Sequence, residues 1–229
     1  MSIKRAVPNT LTALNLFAGA VSVPVFFAGN FEIGAWLIVL AAVFDFLDGF
    51  AARLLNAQSP MGAQLDSLAD VVSFGFAPSV AIFCFMRSRT MQPDWMVYCA
   101  FAIVVFSALR LAKFNVDTRQ SDEFFGLPTP ANALALVMVP LLMEGFWLSP
   151  KNEWFLFTAL IVVSSALMVS DIRLIALKFK TWGIKENSFR YLLILGAAII
   201  LFTIGVKGFP LIVILYLILS LVRNALIKS

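Results

Sequence analysis

Eight runs without a single Lys, Arg, Asp or Glu dominate this chain of 229 residues, and few folds accommodate them. They cover residues 6–31, 33–44, 71–86, 95–109, 124–143, 154–170, 191–206 and 208–222. The second continues through Asp45 and Asp48 to Ala52. About 20 apolar residues cross a bilayer as a helix, and flanking Lys and Arg stems reach the interface to extend shorter runs. The expectation is an all-α integral membrane protein, a bundle of about eight transmembrane helices forming one domain over residues 1–229. The last two runs are joined only around Lys207 and Gly208, which predicts a tight C-terminal hairpin over about residues 191–225. With 61% hydrophobic and 13% charged residues, the chain is too apolar for an ordinary soluble domain and too poor in charge for disorder.

Orientation follows from the cations, which accumulate on the cytoplasmic side of short loops. With a cytoplasmic N-terminus, Arg87, Arg89, Lys151 and Lys207 fall outside and the other thirteen of the 17 Lys and Arg fall inside. Both termini are therefore expected in the cytoplasm, with the protein in the cell (inner) membrane. The same bias accounts for the net charge of +4, so no nucleic-acid partner is needed. The first run follows Lys4 and Arg5 as a signal peptide would. It is long, however, and Asn9, Thr10, Thr12 and Asn15 interrupt its start, which favours a retained helix. Residues 171–190 mix apolar side chains with Lys178, Lys180 and Lys185. They read either as a basic segment on anionic headgroups or as an ordinary positive loop.

The chain has no histidine. That removes imidazole bases, Ser-His-Asp triads and zinc–histidine centres. Cys84 and Cys99 lie in apolar runs, without disulfide or metal-site spacing.

Four acids stand where acids are expensive. Asp45, Asp48, Asp66 and Asp70 lie in or beside the second and third spans, where an ionised side chain costs roughly 2.5–3.5 kcal/mol to insert and marks a site. Asp45 and Asp48 share a helix face at i,i+3, and Gly49, Ala52 and Arg53 continue around it. Gly62, Asp66 and Asp70 fall at i, i+4 and i+8 on the next helix. Residues 54–60, with Ser59 and Pro60, form the turn between them. Two antiparallel helices then gather four carboxylates near the cytoplasmic end of the bundle. An oxygen-only donor set suits a hard divalent ion, Mg²⁺ or Mn²⁺, and four carboxylates suit two ions, the arrangement typical of phosphoryl chemistry. Gly49 and Ala52 leave the helix surface open to a bulky group, and Arg53 can pair with a phosphate. Buried Asp–Arg pairs alone would need more cations than Arg53 supplies. A proton or ion relay, as in an ion-coupled transporter, also buries carboxylates, but leaves the small residues in register with the acids unexplained.

Residues 45–53 and 62–70 resemble the signature of the CDP-alcohol phosphotransferases, D-x-x-D-G-x-x-A-R, a gap of about eight residues, then G-x-x-x-D-x-x-x-D. Each of its eight fixed positions is matched. The resemblance implies a core of six helices, here about residues 6–170, a homodimer, and attack of an alcohol on the lipid-side phosphate of a CDP-linked lipid with release of CMP. It implies Asp45, Asp48 and Asp66 as ligands of a two-ion site. Asp70 would join that site and act as the catalytic base. Gly49, Arg53 and Ser59 would contact the CDP portion, with Ala52 and Gly62 beside them, and Asn9, Thr12 and Asn15 would lie near the nucleotide.

Three further stretches, residues 8–19, 108–115 and 124–131, resemble the membrane-integral phosphatidylserine synthases of bacteria and archaea, and residues 168–172 are a weaker echo. This implies CDP-diacylglycerol and L-serine as substrates. Arg110 and Lys113, at i,i+3, are the candidate cations for the serine carboxylate, although Arg110 also suits a phosphate of the lipid nucleotide. Other acceptors, glycerol 3-phosphate or an inositol phosphate, stay open within the same family.

Overall fold

In the computed structural model, residues 3–89, 94–116, 124–144, 148–176, 183 and 186–227 are described. They form a helical bundle with six stretches long and apolar enough to cross a membrane. In hydrocarbon the backbone has no water to bond, so helices that satisfy their own N–H and C=O groups are the natural element. Helix α1 (Ile3–Phe27) and α2 (Phe31–Leu54) form an antiparallel pair. The turn between them passes through Gly29 at φ +80°, a left-handed conformation that costs glycine nothing. Helix α2 ends in a short loop, and Ser59 caps α3 (Pro60–Asp70), accepting the Gly62 N–H at 3.1 Å. Proline at the first position of α3 loses no hydrogen bond there.

The third span is longer than the apolar run alone suggests. Helix α3 passes without a break through a π-helical turn, Val71–Phe76, into α4 (Ala77–Arg89), so one stretch, Pro60–Arg89, carries both the acidic face and the apolar run. The fourth span opens as a 3₁₀ segment, Asp94–Phe101, and continues as α5 (Ala102–Val116). The fifth is shorter than expected. Phe124–Phe125 pairs antiparallel with Arg173–Leu174, and only from Thr129 does the chain enter α6 (Thr129–Leu142). At about 1.5 Å per residue α6 is too short to cross a bilayer, but it is the inner post of the bundle. Asn132, Ala133 and the run Leu136–Pro140 are buried against its neighbours.

Gly126, at φ +73°, is required at the entry to α6. A Cβ there would come within 2.5 Å of the Met168 carbonyl oxygen at the end of α7 (Pro150–Val169). The core lies around α4 and α6, with Phe74, Ile82, Met86, Ile103, Leu136 and Met138 fully buried. Helices α8 (Ser188–Ile204) and α9 (Phe209–Ile227) form the expected hairpin, turning at Gly205, φ +70°.

The cations that the charge bias assigned to opposite sides lie at opposite ends of the bundle. At one end Arg89 pairs with Glu153 at 3.7 Å and Lys207 with Glu144 at 3.1 Å. At the other, Lys113 pairs with Asp171 at 2.9 Å. Arg119, Lys178, Lys180, Lys185 and Lys228 lie outside the described residues, and with them most of the segment read as interfacial. Cys84 and Cys99 are free thiols.

Candidate active site

The helical phase read from the sequence brings the acids together. Asp45 and Asp48 on α2 and Asp66 on α3 each offer a carboxylate oxygen, and these oxygens lie within 4.8 Å of one another. Asp70, one turn beyond Asp66, is buried and within electrostatic reach of the other three. Among the described residues no Lys or Arg forms an ion pair with any of the four. Asp48 Oδ2 and Asp66 Oδ1 are buried without a hydrogen-bond partner. A buried carboxylate oxygen left without a donor is costly. Close-set hard oxygens with open lone pairs are the donor set a divalent cation takes. The residues therefore fit the ion type that their chemistry suggests.

Beside the cluster is a cavity of about 160 Å³, lined by Asn9 and Thr12 of α1, Asp48, Gly49 and Ala52 of α2, Ser59, and Gly62 and Asp66 of α3. Gly49 faces open space, the nearest atom to a Cβ there being Arg53 Nη2 at 4.0 Å. Arg53 is exposed. Gly62 is tightly placed, since a Cβ would stand 3.1 Å from Ser59 Oγ and 3.2 Å from Asn9 Oδ1. A side chain there would crowd the Ser59 hydroxyl that caps α3 and the Asn9 amide that lines the cavity. Pro8, Ala57, Gln58 and Ala63 complete the lining. Sequence reasoning missed them because three are small or apolar and Gln58 sits in a turn, where no periodicity assigns a face.

Helix α1 reaches Asp70 through Asn15. This fully buried side chain donates from Nδ2 to Asp70 Oδ1 at 3.3 Å, and its own Oδ1 has no partner. Two residues to which the motifs assigned no role hold it there. Ser73, in the π-helical turn after Asp70, donates from Oγ to the Asn15 carbonyl at 3.0 Å. Gly19, one turn along α1, lets that turn approach so closely that a Cβ would lie 2.6 Å from the Ser73 Cα. A π-turn inserts an extra residue and resets helical phase. Here it separates the phase of the acid-bearing turns from that of α4.

Arg110 on α5 is buried. Its Nη1 donates to Thr129 Oγ1 at 3.3 Å, its guanidinium lies over the Phe114 ring at 5.4 Å, and its Nε has no partner. Asp70 is within its electrostatic reach. Lys113, one turn on, is differently occupied. Its ammonium donates to the Val169 carbonyl at 3.2 Å and to Asp171 at 2.9 Å, tying α5 to the end of α7.

Fold and site together define a class: an integral membrane protein, all helical, with a carboxylate-lined cavity open at one end of its bundle. The family described as CDP-alcohol phosphatidyltransferase matches the chain over residues 5–170, and the chain belongs to that family of phosphotransferases. It is similar to proteins named CDP-diacylglycerol–serine O-phosphatidyltransferase. The one from Helicobacter pylori strain 26695 is 35% identical over 220 residues, 94% of this chain and 90% of that one. The one from Mycobacterium tuberculosis strain H37Rv is 38% identical over 176 residues, 72% of this chain and 59% of that one. The one from Methanocaldococcus jannaschii is 33% identical over 167 residues, 73% of this chain and 72% of that one.

Proposed function

We propose that the protein transfers the phosphatidyl group of CDP-diacylglycerol to the hydroxyl of L-serine, giving phosphatidylserine and CMP. The observation that carries this reading is the cluster of Asp45, Asp48, Asp66 and Asp70, without a cationic partner among the described residues, beside a cavity open between α1, α2 and α3. The acceptor rests on the serine named in relatives that match 94% of the chain.

Asp45, Asp48 and Asp66, with Asp70 alongside, would hold two Mg²⁺ or Mn²⁺ ions, which when bound neutralise a diphosphate and make CMP a better leaving group. The remaining work belongs to the chain. Gly49 and Ala52 leave room for the nucleotide against α2, and Arg53 at the rim pairs with its phosphates. Ser59, Gly62, Asn9 and Thr12 form the opposite wall. Asp70 accepts the serine hydroxyl proton as that oxygen bonds to the lipid-side phosphorus, and the bond from phosphorus to the CMP oxygen breaks with its electron pair leaving on CMP. Asn15 keeps Asp70 aimed. Arg110 receives the serine carboxylate, and Lys113 anchors α5 beside it. With no histidine in the chain, direct in-line displacement is simpler than a covalent enzyme intermediate, so the configuration at phosphorus is expected to invert. The enzyme works as a homodimer in the inner membrane, with both termini and the site facing the cytoplasm.

The test is CMP release from CDP-diacylglycerol by purified protein, with labelled serine, glycerol 3-phosphate and inositol phosphate offered in parallel. Product from serine, lost on chelation of divalent ions and in a folded Asp70→Asn variant, is the expected outcome. Product only from another alcohol would move the acceptor. Ion flux in proteoliposomes without CMP release would move the protein out of this chemistry.

A further inference from the structure

Helix α9 is apolar in all but a few places, and three of its polar side chains are in register. Tyr216, Ser220 and Asn224 stand four residues apart, which places them on one face of the helix. A hydroxyl or amide in an apolar setting is costly unless it is hydrogen-bonded, and all three find partners on the same short stretch of backbone. Tyr216 donates from its hydroxyl to the Ile175 carbonyl at 3.1 Å. Ser220, fully buried, accepts the Ile175 N–H at 3.2 Å. Asn224 donates from Nδ2 to the Arg173 carbonyl at 2.7 Å. A two-stranded ribbon has backbone groups to spare, and the strand Arg173–Leu174, already paired with Phe124–Phe125, is thus tied to α9 as well. The ribbon in turn leads to the acceptor end of the site. Beyond Phe125 the Gly126 N–H donates to the Ile172 carbonyl at 3.0 Å and the Leu127 N–H to the Leu167 carbonyl at 2.9 Å. Two residues later Thr129 opens α6 and accepts Arg110 Nη1 at 3.3 Å. Tyr216 is itself within electrostatic reach of Arg110.

We propose that Tyr216 and Ser220 of the C-terminal hairpin are positioning residues for the acceptor: they hold the ribbon, the ribbon holds Thr129, and Thr129 aims Arg110 at the serine carboxylate. The proposal rests on the reading above that Arg110 receives serine, and adds what fixes Arg110 in place. Two features set this role apart from that of a membrane anchor. An anchor needs only apolar side chains toward lipid, whereas α9 directs three polar ones at a single strand. Both the N–H and the C=O of Ile175 are bonded by α9, which fixes that peptide in direction as well as in position. Arg110 needs such support. Its guanidinium lies on Phe114, a residue of its own helix, and its Nε has no partner, so Thr129 is the tie that locates the fork relative to another helix. A carboxylate is held well only by donors already in place, since the freedom lost on binding is then small. The hairpin lies beyond residues 5–170, the span that the family matches, so this support comes from outside the helices that carry the aspartates.

The experiment removes one hydroxyl at a time from the full-length enzyme. Ser220→Ala leaves the Ile175 N–H without its acceptor, and Tyr216→Phe leaves the Ile175 carbonyl without that donor. Initial rates of CMP release give kcat and the KM for serine, and separately the KM for CDP-diacylglycerol, in each variant with and without Arg110→Ala. The expected result is a rise of about fivefold or more in the KM for serine, with kcat and the KM for CDP-diacylglycerol unchanged within about twofold. In the Arg110→Ala background the same substitutions should move the serine KM by no more than about twofold, because residues acting through one shared contact are not additive. Loss of stability alone would not produce that dependence on Arg110. An unchanged serine KM, an equal rise in the KM for the CDP-lipid, or a full effect that persists without the Arg110 guanidinium overturns the proposal. If Ser220→Ala at its fully buried position does not fold, Tyr216→Phe, which keeps the ring, is read by the same criteria. Wild-type enzyme that makes no product from serine overturns the assigned reaction and this role with it, whereas a working wild type with unresponsive variants overturns this role alone.

Discussion

Gly19→Ala tests whether helix packing, and not the carboxylates alone, sets the geometry of Asp70, the proposed base. A methyl group at position 19 would stand 2.6 Å from the Ser73 Cα, whereas ordinary contact begins at 3.4 Å. Backbone cannot rotate away as a side-chain tip can, so α1 and the π-helical turn must part by about 1 Å in a close-packed interior. The Asn15 contact with Asp70 is 3.3 Å long, near the limit of a hydrogen bond, and parting the helices breaks it. Asp70 then loses its neutral donor and its aim. Misplacement by about 1 Å costs on the order of 100-fold in rate, and most of that loss should fall on kcat. Overpacking destabilises by about 1–3 kcal/mol, and alanine regains about 1 kcal/mol over glycine in a helix, so the folded protein should survive. Initial rates of CMP release against serine and CDP-lipid, with thermal unfolding in detergent alongside, separate the two effects. A wild-type kcat in well-folded Gly19→Ala would refute the coupling between packing and catalysis. So would a loss no larger than the loss of folded protein. Ser73→Ala removes only the hydroxyl bond to the Asn15 carbonyl and should cost no more than about fivefold.

Two further expectations concern the cations. Arg110→Ala should raise the KM for serine by tenfold or more, since a charge-assisted hydrogen bond is worth about 1.5–3 kcal/mol, while Lys113→Ala should leave that KM nearly unchanged; equal effects on the KM would refute the division of roles. At the opposite end of the bundle, Arg89→Ala leaves the Glu153 carboxylate, 5% exposed, without its cation and should destabilise by about 3 kcal/mol. Lys207→Ala breaks a pair whose side chains are 41% and 73% exposed and should cost less than about 1 kcal/mol; comparable melting-temperature shifts in the two variants would contradict this contrast.

Much of the site was legible because it is written in helical phase. Asp45 and Asp48 lie three residues apart and Gly62, Asp66 and Asp70 four apart, and such spacing places side chains on a common face whatever surrounds them. The apolar runs likewise determined that the chain enters a membrane as helices, and the cations separated its two ends. What the sequence left undecided depends on contacts between residues distant along the chain. Asn15 meets Asp70 across 55 positions, and Ser73 meets the Asn15 carbonyl across 58. Arg110 and Lys113, equivalent as neighbouring cations, turn to different partners. Helix α6 is shorter than its apolar run because Phe124–Phe125 pairs with Arg173–Leu174 and the chain turns at Gly126 before the helix begins, and the π-helical turn hides in a run that reads as plain apolar span. Periodicity determines which way a side chain faces on its own helix. Only tertiary packing decides which helix stands opposite and how closely its backbone approaches.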